Sequence, residues 1–189
     1  RKLTIVSADG TNARTAGTAI EMQGAAGQST AEWSHDGRWL LTGGRDADGP
    51  GLFKIPVDGG TAVRLTAGQA SNPVRSPDGN LILYTGAFVG GQAPLLGVRP
   101  DGTPAELPTM NVRQGGYRFL PDGTGVVYLP SLQSRDFWLL ELATGNRRQL
   151  TRFGDRSRLE TFDITPDGTR IVFDRSQENA DIVLIDLPE

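Results

Sequence analysis

Catalysis by a nucleophile with a histidine base requires residue types that are scarce in this sequence. The 189 residues include one histidine, His35, and no cysteine. A thiol nucleophile, a cysteine-ligated zinc and a histidine cluster are therefore all excluded. His35 lies between Ser34 and Asp36-Gly37, a pattern typical of a tight turn. We interpret His35 as a turn residue and predict that the chain is not an enzyme, with no catalytic residue, no metal ligand and no cofactor.

Aspartates are the other candidate reactive groups. Four of them precede a glycine at regular intervals: Asp36, Asp78, Asp122 and Asp167. Aspartates at such positions bond the local backbone, which favours a turn role, although composition alone leaves paired-carboxylate glycoside hydrolysis open. The segment Asp46-Ala47-Asp48-Gly49 resembles the start of a calcium loop, but no glutamate follows at the spacing that would complete it. A calcium site in this segment is therefore the alternative to the prediction that the chain binds no metal.

Charge and hydropathy exclude two classes of partner. The 19 basic and 22 acidic residues give a net charge of −3 and are interleaved along the chain. Nucleic acid is therefore not expected as a partner, because phosphate binding needs a basic surplus on one face. No run of about 18 apolar residues occurs, so we predict no membrane insertion. The sequence starts at Arg1 rather than Met, which leaves an upstream segment as an open possibility.

Internal repetition indicates how these residues are positioned. Four segments align on a shared glycine, with spacings of 42, 44 and 45 residues between Gly37, Gly79, Gly123 and Gly168. Three of the four read x-Pro-Asp-Gly, and His35 replaces the proline in the first. Proline presets the first corner of a turn and glycine accepts the left-handed conformation that closes a hairpin.

Short apolar runs around these turns predict four strands in each unit. The first strands precede the turns. The second strands are predicted at 39–41, 81–84, 126–128 and 171–173, and the third at 52–55, 95–98, 137–140 and 182–185. More polar fourth strands are predicted at 62–66, 105–108 and 147–151. Strands that are apolar throughout are covered on both faces, whereas the fourth is an exposed edge.

Antiparallel four-stranded units at a period of about 43 residues are typical of β-propeller blades. A repeated β-sandwich hairpin is the competing interpretation. The residues resemble the TolB-type (WD40-like) propeller repeat, whose blades carry a Trp-Ser-Pro-Asp-Gly hairpin, a later Asp-Gly turn and a closing Leu-Thr. The best copy is Trp33-Ser34-His35-Asp36-Gly37 with Asp58-Gly59 and Leu65-Thr66. This resemblance implies an all-β propeller.

The repeats divide the chain into a half blade at 1–16, blades at 31–66, 73–108 and 117–151, and an incomplete blade at 162–187. This amounts to about four to five blades in a single domain or partial propeller. TolB-like propellers are usually six-bladed, so we expect the chain to be part of a six- or seven-bladed ring. Closure would then need a missing upstream segment or another chain. A compact ring closed by an N-terminal strand is the alternative.

Loops that join second to third strands, and one blade to the next, share one face of a propeller. Arginines suit an interaction surface on that face because they bind carboxylates bidentately and stack on aromatic rings. The predicted binding residues are Arg45, Arg135, Asp136, Arg156, Arg158 and Arg175. A solvated rim that only keeps the protein soluble is the alternative interpretation of the same residues.

The resemblance implies a non-catalytic bacterial scaffold that binds a protein or peptide, in the periplasm or another extracytoplasmic compartment. Two alternatives remain. One is the C-terminal sensor propeller of a receptor kinase or transcriptional regulator. The other is the gating propeller of a prolyl-oligopeptidase-like enzyme, although no Gly-x-Ser-x-Gly elbow occurs in the chain.

Overall fold

A computed structural model of the chain describes residues 3–17, 19–22, 31–154 and 157–176. These residues form seventeen β-strands and no helix. Within the same ranges, nothing has the helical length and hydropathy that a membrane span requires. The third strand predicted at 182–185 lies outside the described residues.

The strands assemble into five antiparallel sheets in chain order. Sheet A contains β1 (Leu3–Ile5) and β2 (Arg14–Ala16). Sheet B contains β3 (Ala31–Trp33), β4 (Trp39–Asp46), β5 (Gly49–Pro56) and β6 (Val63–Ala67). Sheet C contains β7 (Ser71–Arg75), β8 (Ile82–Thr85), β9 (Ala93–Val98), β10 (Pro104–Ala105) and β11 (Asn111–Val112).

The remaining strands form the last two sheets. Sheet D contains β12 (Tyr117–Phe119), β13 (Gly125–Tyr128), β14 (Trp138–Glu141) and β15 (Arg147–Gln149). Sheet E contains β16 (Arg158–Ile164) and β17 (Ile171–Ser176). Sheets B and D are simple meanders in which each strand pairs with the next, as the repeat predicts.

The outer edge of sheet C differs from the prediction. A fourth strand was expected at 105–108, but β10 is two residues long and pairs only with Gly97 and Val98 of β9. The other end of β9 pairs with β11, where Asn111 lies opposite Pro94. Pro108 has no amide hydrogen to donate to a ladder, so the chain leaves β9 and returns two residues later through Met110, whose carbonyl accepts from Leu95 N.

Adjacent sheets stack face to face, and each interface holds its own apolar cluster. Leu40, Phe53 and Ile55 of sheet B pack with Ala16 and Ile20. The three later interfaces are filled in the same way by clusters between sheets B and C, C and D, and D and E. All residues of β8 and β13 are buried, whereas β15 has no fully buried residue. The second strands of sheets C and D are therefore covered on both faces, and the fourth strand of sheet D is an exposed edge. The prediction was wrong for the second strand of sheet E, at 171–173, because Val172 of β17 is 64% exposed.

Stacking of the sheets places the strand connections at two opposite ends of the molecule. The turns between first and second strands lie at one end, which we call the hairpin end. The loops between second and third strands, and those between sheets, lie at the other, which we call the loop end. Leu132 N in one such loop donates to Gly91 O in the loop of the preceding sheet, so neighbouring loops are in contact.

Replacement of Phe137 by alanine tests the interface between sheets D and E. Phe137 has no exposed surface, and its ring centroid lies 4.9 Å from that of Phe162 and 5.2 Å from that of Phe173. We expect Phe137→Ala to lower the free energy of unfolding by about 3–5 kcal/mol in a urea titration. The matched control is Phe88→Ala, because Phe88 is 43% exposed, and it should change stability by less than about 0.5 kcal/mol. Equal effects of the two variants would contradict the stacked arrangement.

Candidate functional site

The repeated aspartates occupy the hairpin end and bond within their own turns. Asp36 Oδ1 accepts from Ser34 Oγ at 2.6 Å and from Arg38 N at 3.1 Å. Asp122 Oδ1 accepts from Thr124 N at 3.0 Å and Thr124 Oγ1 at 2.8 Å. Equivalent bonds hold the other two carboxylates. These contacts support the turn role predicted for the aspartates.

Hydrogen bonding favours the charged form of these carboxylates. The bond from Ser34 is the largest cause of a lowered pKa at Asp36, and the bond from Ser76 has the same effect on the pKa of Asp78. The pKa values of Asp122 and Asp167 are lowered by bonds from Thr124 and Thr165 respectively. A carboxylate that is well solvated and accepts several hydrogen bonds is a weak proton acceptor. The four turn aspartates are therefore better suited to stabilising their turns than to acid–base catalysis.

Acid titration tests the role of the turn aspartates. A pKa that is lower in the folded state contributes stability above the ordinary aspartate pKa of about 3.9, and that contribution is lost as pH falls through the folded value. We expect Asp78→Asn to be less stable than the original protein at pH 6. The difference between their urea midpoints should shrink as pH is lowered from 5 to 2. A difference that stays constant over this range would contradict the assignment.

The candidate calcium loop is occupied by an ion pair. The Asp46 carboxylate contacts the Arg64 guanidinium and also accepts from Asp48 N at 2.9 Å. Arg64 further donates to Pro50 O at 2.9 Å and Gly49 O at 3.0 Å, which ties it to the same turn. Among the described residues, no group of three or more His, Asp or Glu side chains converges as metal ligands would.

The predicted binding residues lie at the loop end. Arg45, Arg135, Arg158 and Arg175 are exposed, and Arg156 lies outside the described residues. Asp136 has a local structural role, since its Oδ1 accepts from Thr151 Oγ1 at 3.0 Å and Phe153 N at 2.9 Å. The binding role of these residues stays a prediction.

A pocket of about 360 Å³ opens between sheets C, D and E at the loop end. Arg113 crosses from sheet C to sheet E, where its guanidinium contacts Leu159 O and lies 3.3 Å from Glu160 Oε2. Arg118 lies on another wall, with its guanidinium 5.6 Å from the Phe162 ring centroid. The pocket therefore combines two cations, one carboxylate and an aromatic face.

Exposed apolar side chains border this pocket. Phe88 and Leu132 line it and are 43% and 42% exposed, and Val89 beside Phe88 is 73% exposed. Gly90 and Gly91 form the tip of the loop with φ values of 61° and 84°, a conformation that permits the tight reversal after Val89. Clustered exposed apolar residues of this kind mark interaction sites.

Charged side chains on the first strands of neighbouring sheets also interact with one another. Glu32 on β3 is half-buried and is attracted by Arg75 on β7 and Arg118 on β12. Arg118 Nε also lies 3.9 Å from Asp163 Oδ1 on β16. Burial outweighs the two arginines and raises the pKa of Glu32.

Replacement of Glu32 by glutamine tests the balance between burial of Glu32 and its attraction to the two arginines. Because the folded state disfavours the charged form, the contribution of Glu32 to stability is greatest at low pH. It declines as pH rises through the ordinary glutamate pKa of about 4.3 and the higher folded value. We expect the melting temperature of Glu32→Gln, relative to the original protein, to be higher at pH 7 than at pH 3. A shift in the opposite direction would show that Arg75 and Arg118 dominate.

Solved structures of other proteins share this architecture. No protein-family model and no curated protein sequence matches the chain. Among solved structures, TolB from Acinetobacter baumannii is 17% identical, and the match covers 91% of this chain and 42% of that one with a TM-score of 0.62. A protein assigned as TolB from Agrobacterium tumefaciens is 17% identical, with 93% and 63% coverage and a TM-score of 0.68. The chain therefore spans less than two thirds of either TolB protein.

A third similar structure carries an enzyme assignment. A protein from Bacteroides fragilis assigned as a 6-phosphogluconolactonase is 17% identical over 91% of this chain and 56% of its own, with a TM-score of 0.53. Serially stacked antiparallel sheets, built on a meander of four strands in sheets B and D, define a β-propeller. Within that class the chain has the TolB-type fold, which confirms the resemblance predicted from the repeats.

Several residues of the pocket at the loop end were not predicted from sequence. Phe88 and Leu132 lie in loops that the repeat assigns to this face, as do Arg113, Gln114 and Glu160, but none of these five is among the predicted binding residues. Arg118 lies on the first strand of sheet D. Phe88 and Leu132 read as ordinary apolar residues in linear sequence. A Gly-Gly pair immediately after Phe88-Val89 was the one available clue that these side chains lie at a loop tip.

Proposed function

We propose that the chain is a non-catalytic β-propeller scaffold that binds a protein or peptide through its loop end. The observation that carries the proposal is the pocket between sheets C, D and E, where Phe88 and Leu132 are exposed beside the guanidiniums of Arg113 and Arg118. Aromatic residues and arginines are the types that contribute most to protein interfaces.

Charge favours an acidic partner. In the described part of sheets C to E, the loop end carries more cations than anions. The arginines are Arg113, Arg135, Arg152, Arg158 and Arg175, and the carboxylates are Asp136, Glu160 and Asp174. An approaching acidic segment would therefore meet an excess of positive charge, which also accelerates association.

The absence of catalysis is part of the proposal. Support comes from His35, which is exposed in a hairpin at the end opposite the pocket. An extracytoplasmic location is proposed on the resemblance to TolB-type repeats alone. The lactonase assignment of one similar structure concerns that protein, and 17% identity carries over only its fold.

Charge reversal at the loop end tests this proposal. We expect Arg158→Glu to reduce capture of an acidic partner from a bacterial envelope extract by about tenfold, because loss of a cation and gain of an anion both oppose binding. The melting temperature should not change, since Arg158 is exposed. Arg38→Glu is the matched control, because Arg38 is an exposed arginine at the hairpin end.

Quantitative mass spectrometry of the captured proteins measures the effect. A partner of the loop end is retained by the Arg38→Glu variant and lost by both Arg158→Glu and Phe88→Ala. If no protein is lost selectively by the loop-end variants, the loop end is not the binding surface.

A further inference from the structure

At the hairpin end, the contact between neighbouring hairpins is different between sheets B and C from the contact at the later interfaces. In sheet D, a Cβ placed on Gly123 would lie 3.7 Å from Pro77 Cδ of the preceding hairpin. In sheet E, a Cβ on Gly168 would lie 3.4 Å from Pro121 Cδ. The hairpin proline of one sheet thus packs against the hairpin glycine of the next.

This contact is missing between sheets B and C. The residue equivalent to the proline is His35, and a Cβ on Gly79 would have only the Arg75 guanidinium nearby, at 3.6 Å. His35 and Gly79 instead lie on the wall of a pocket of about 260 Å³. Pockets lined by hairpin residues also open between sheets C and D and between sheets D and E, so the pocket beside His35 is distinguished by its lining and not by being open.

The pocket has an apolar floor. Leu41 and Ile82 are 3% and 2% exposed and form its base, and Trp39 and Pro100 complete the apolar lining. Its volume lies below the range of about 300–1,000 Å³ typical of sites for drug-sized ligands. The space therefore suits one amino-acid residue better than a nucleotide or a whole cofactor.

Two cations line the same pocket. Lys54 Nζ lies 4.4 Å from the centroid of the Trp39 ring, and Arg75 donates to the carbonyls of Trp33 and Ser76. Neither has a carboxylate within ion-pair distance among the described residues, although Glu32 attracts Arg75 at longer range. The nearest lining carboxylate, Asp36, already accepts bonds from Ser34 and Arg38 within its turn.

We propose that this pocket binds the C-terminal residue of a polypeptide, with an apolar side chain on the floor formed by Leu41, Ile82 and Trp39 and the terminal carboxylate between Lys54 and Arg75. A C-terminal residue carries an apolar group and a full negative charge within one residue volume, which matches the lining. The site lies at the hairpin end, so it is separate from the loop-end surface and does not depend on the function proposed for it.

Titration with two defined peptides tests the proposal. The probes are N-acetylated tripeptides of sequence Gly-Gly-Phe, one with a free C-terminal carboxylate and one with a C-terminal amide, and binding is followed by NMR chemical shifts of the tryptophan indoles. The free acid should bind saturably, with shifts at Trp39, and about tenfold more tightly than the amide, because a charged hydrogen bond is lost in the amide. Absence of saturable binding, or equal affinity for the two peptides, would overturn the proposal.

Two variants locate the site. Lys54→Met keeps an apolar stem over Trp39 and removes the charge, and we expect it to weaken binding of the free acid by about tenfold. Arg99→Gln, an exposed cation at the same end outside the pocket, is the matched control and should bind normally. Unchanged affinity in Lys54→Met would place binding elsewhere and refute the assignment.

Discussion

Burial of the second strands of the central sheets on both of their faces is the constraint on which the structure depends. All residues of β8 and β13 are buried, and a single antiparallel sheet cannot achieve this alone, because one of its faces would meet water. Sheets B, C and D must therefore each be covered by a neighbour on either side. The serial stacking of sheets A to E, with a separate apolar cluster at each interface, is the consequence.

Stacking of this kind also restricts where function can reside. Core positions are occupied by apolar packing, and the repeated aspartates are occupied by their own turns. Variation is tolerated at the ends of the strands, where side chains project away from the interfaces. Two pockets with distinctive linings are found there: the one beside Phe88 and Leu132 at the loop end, and the one beside His35 at the hairpin end.

Local chemistry explains which strands could be predicted from sequence. The predictions at 39–41 and 126–128 lie within β4 and β13, because apolar runs that follow an Asp-Gly turn leave little choice of register. The prediction at 105–108 was wrong beyond Ala105. Pro108 interrupts the ladder there, and pairing of β11 with the far end of β9 depends on a return of the chain that has no local signal.

The sequence by itself determined the blade, since turn chemistry and apolar periodicity act over a few residues and recur at each repeat. It also identified the loop end as the arginine-rich face, although the binding role of Arg45, Arg135, Asp136, Arg158 and Arg175 stays a prediction, as does that of Arg156 outside the described residues. Only the tertiary structure decided which residues share a pocket. Phe88 and Leu132 lie in different sheets, as do His35 and Gly79, and each pair lines one pocket because the sheets stack. Distances between sheets depend on packing that no local pattern encodes.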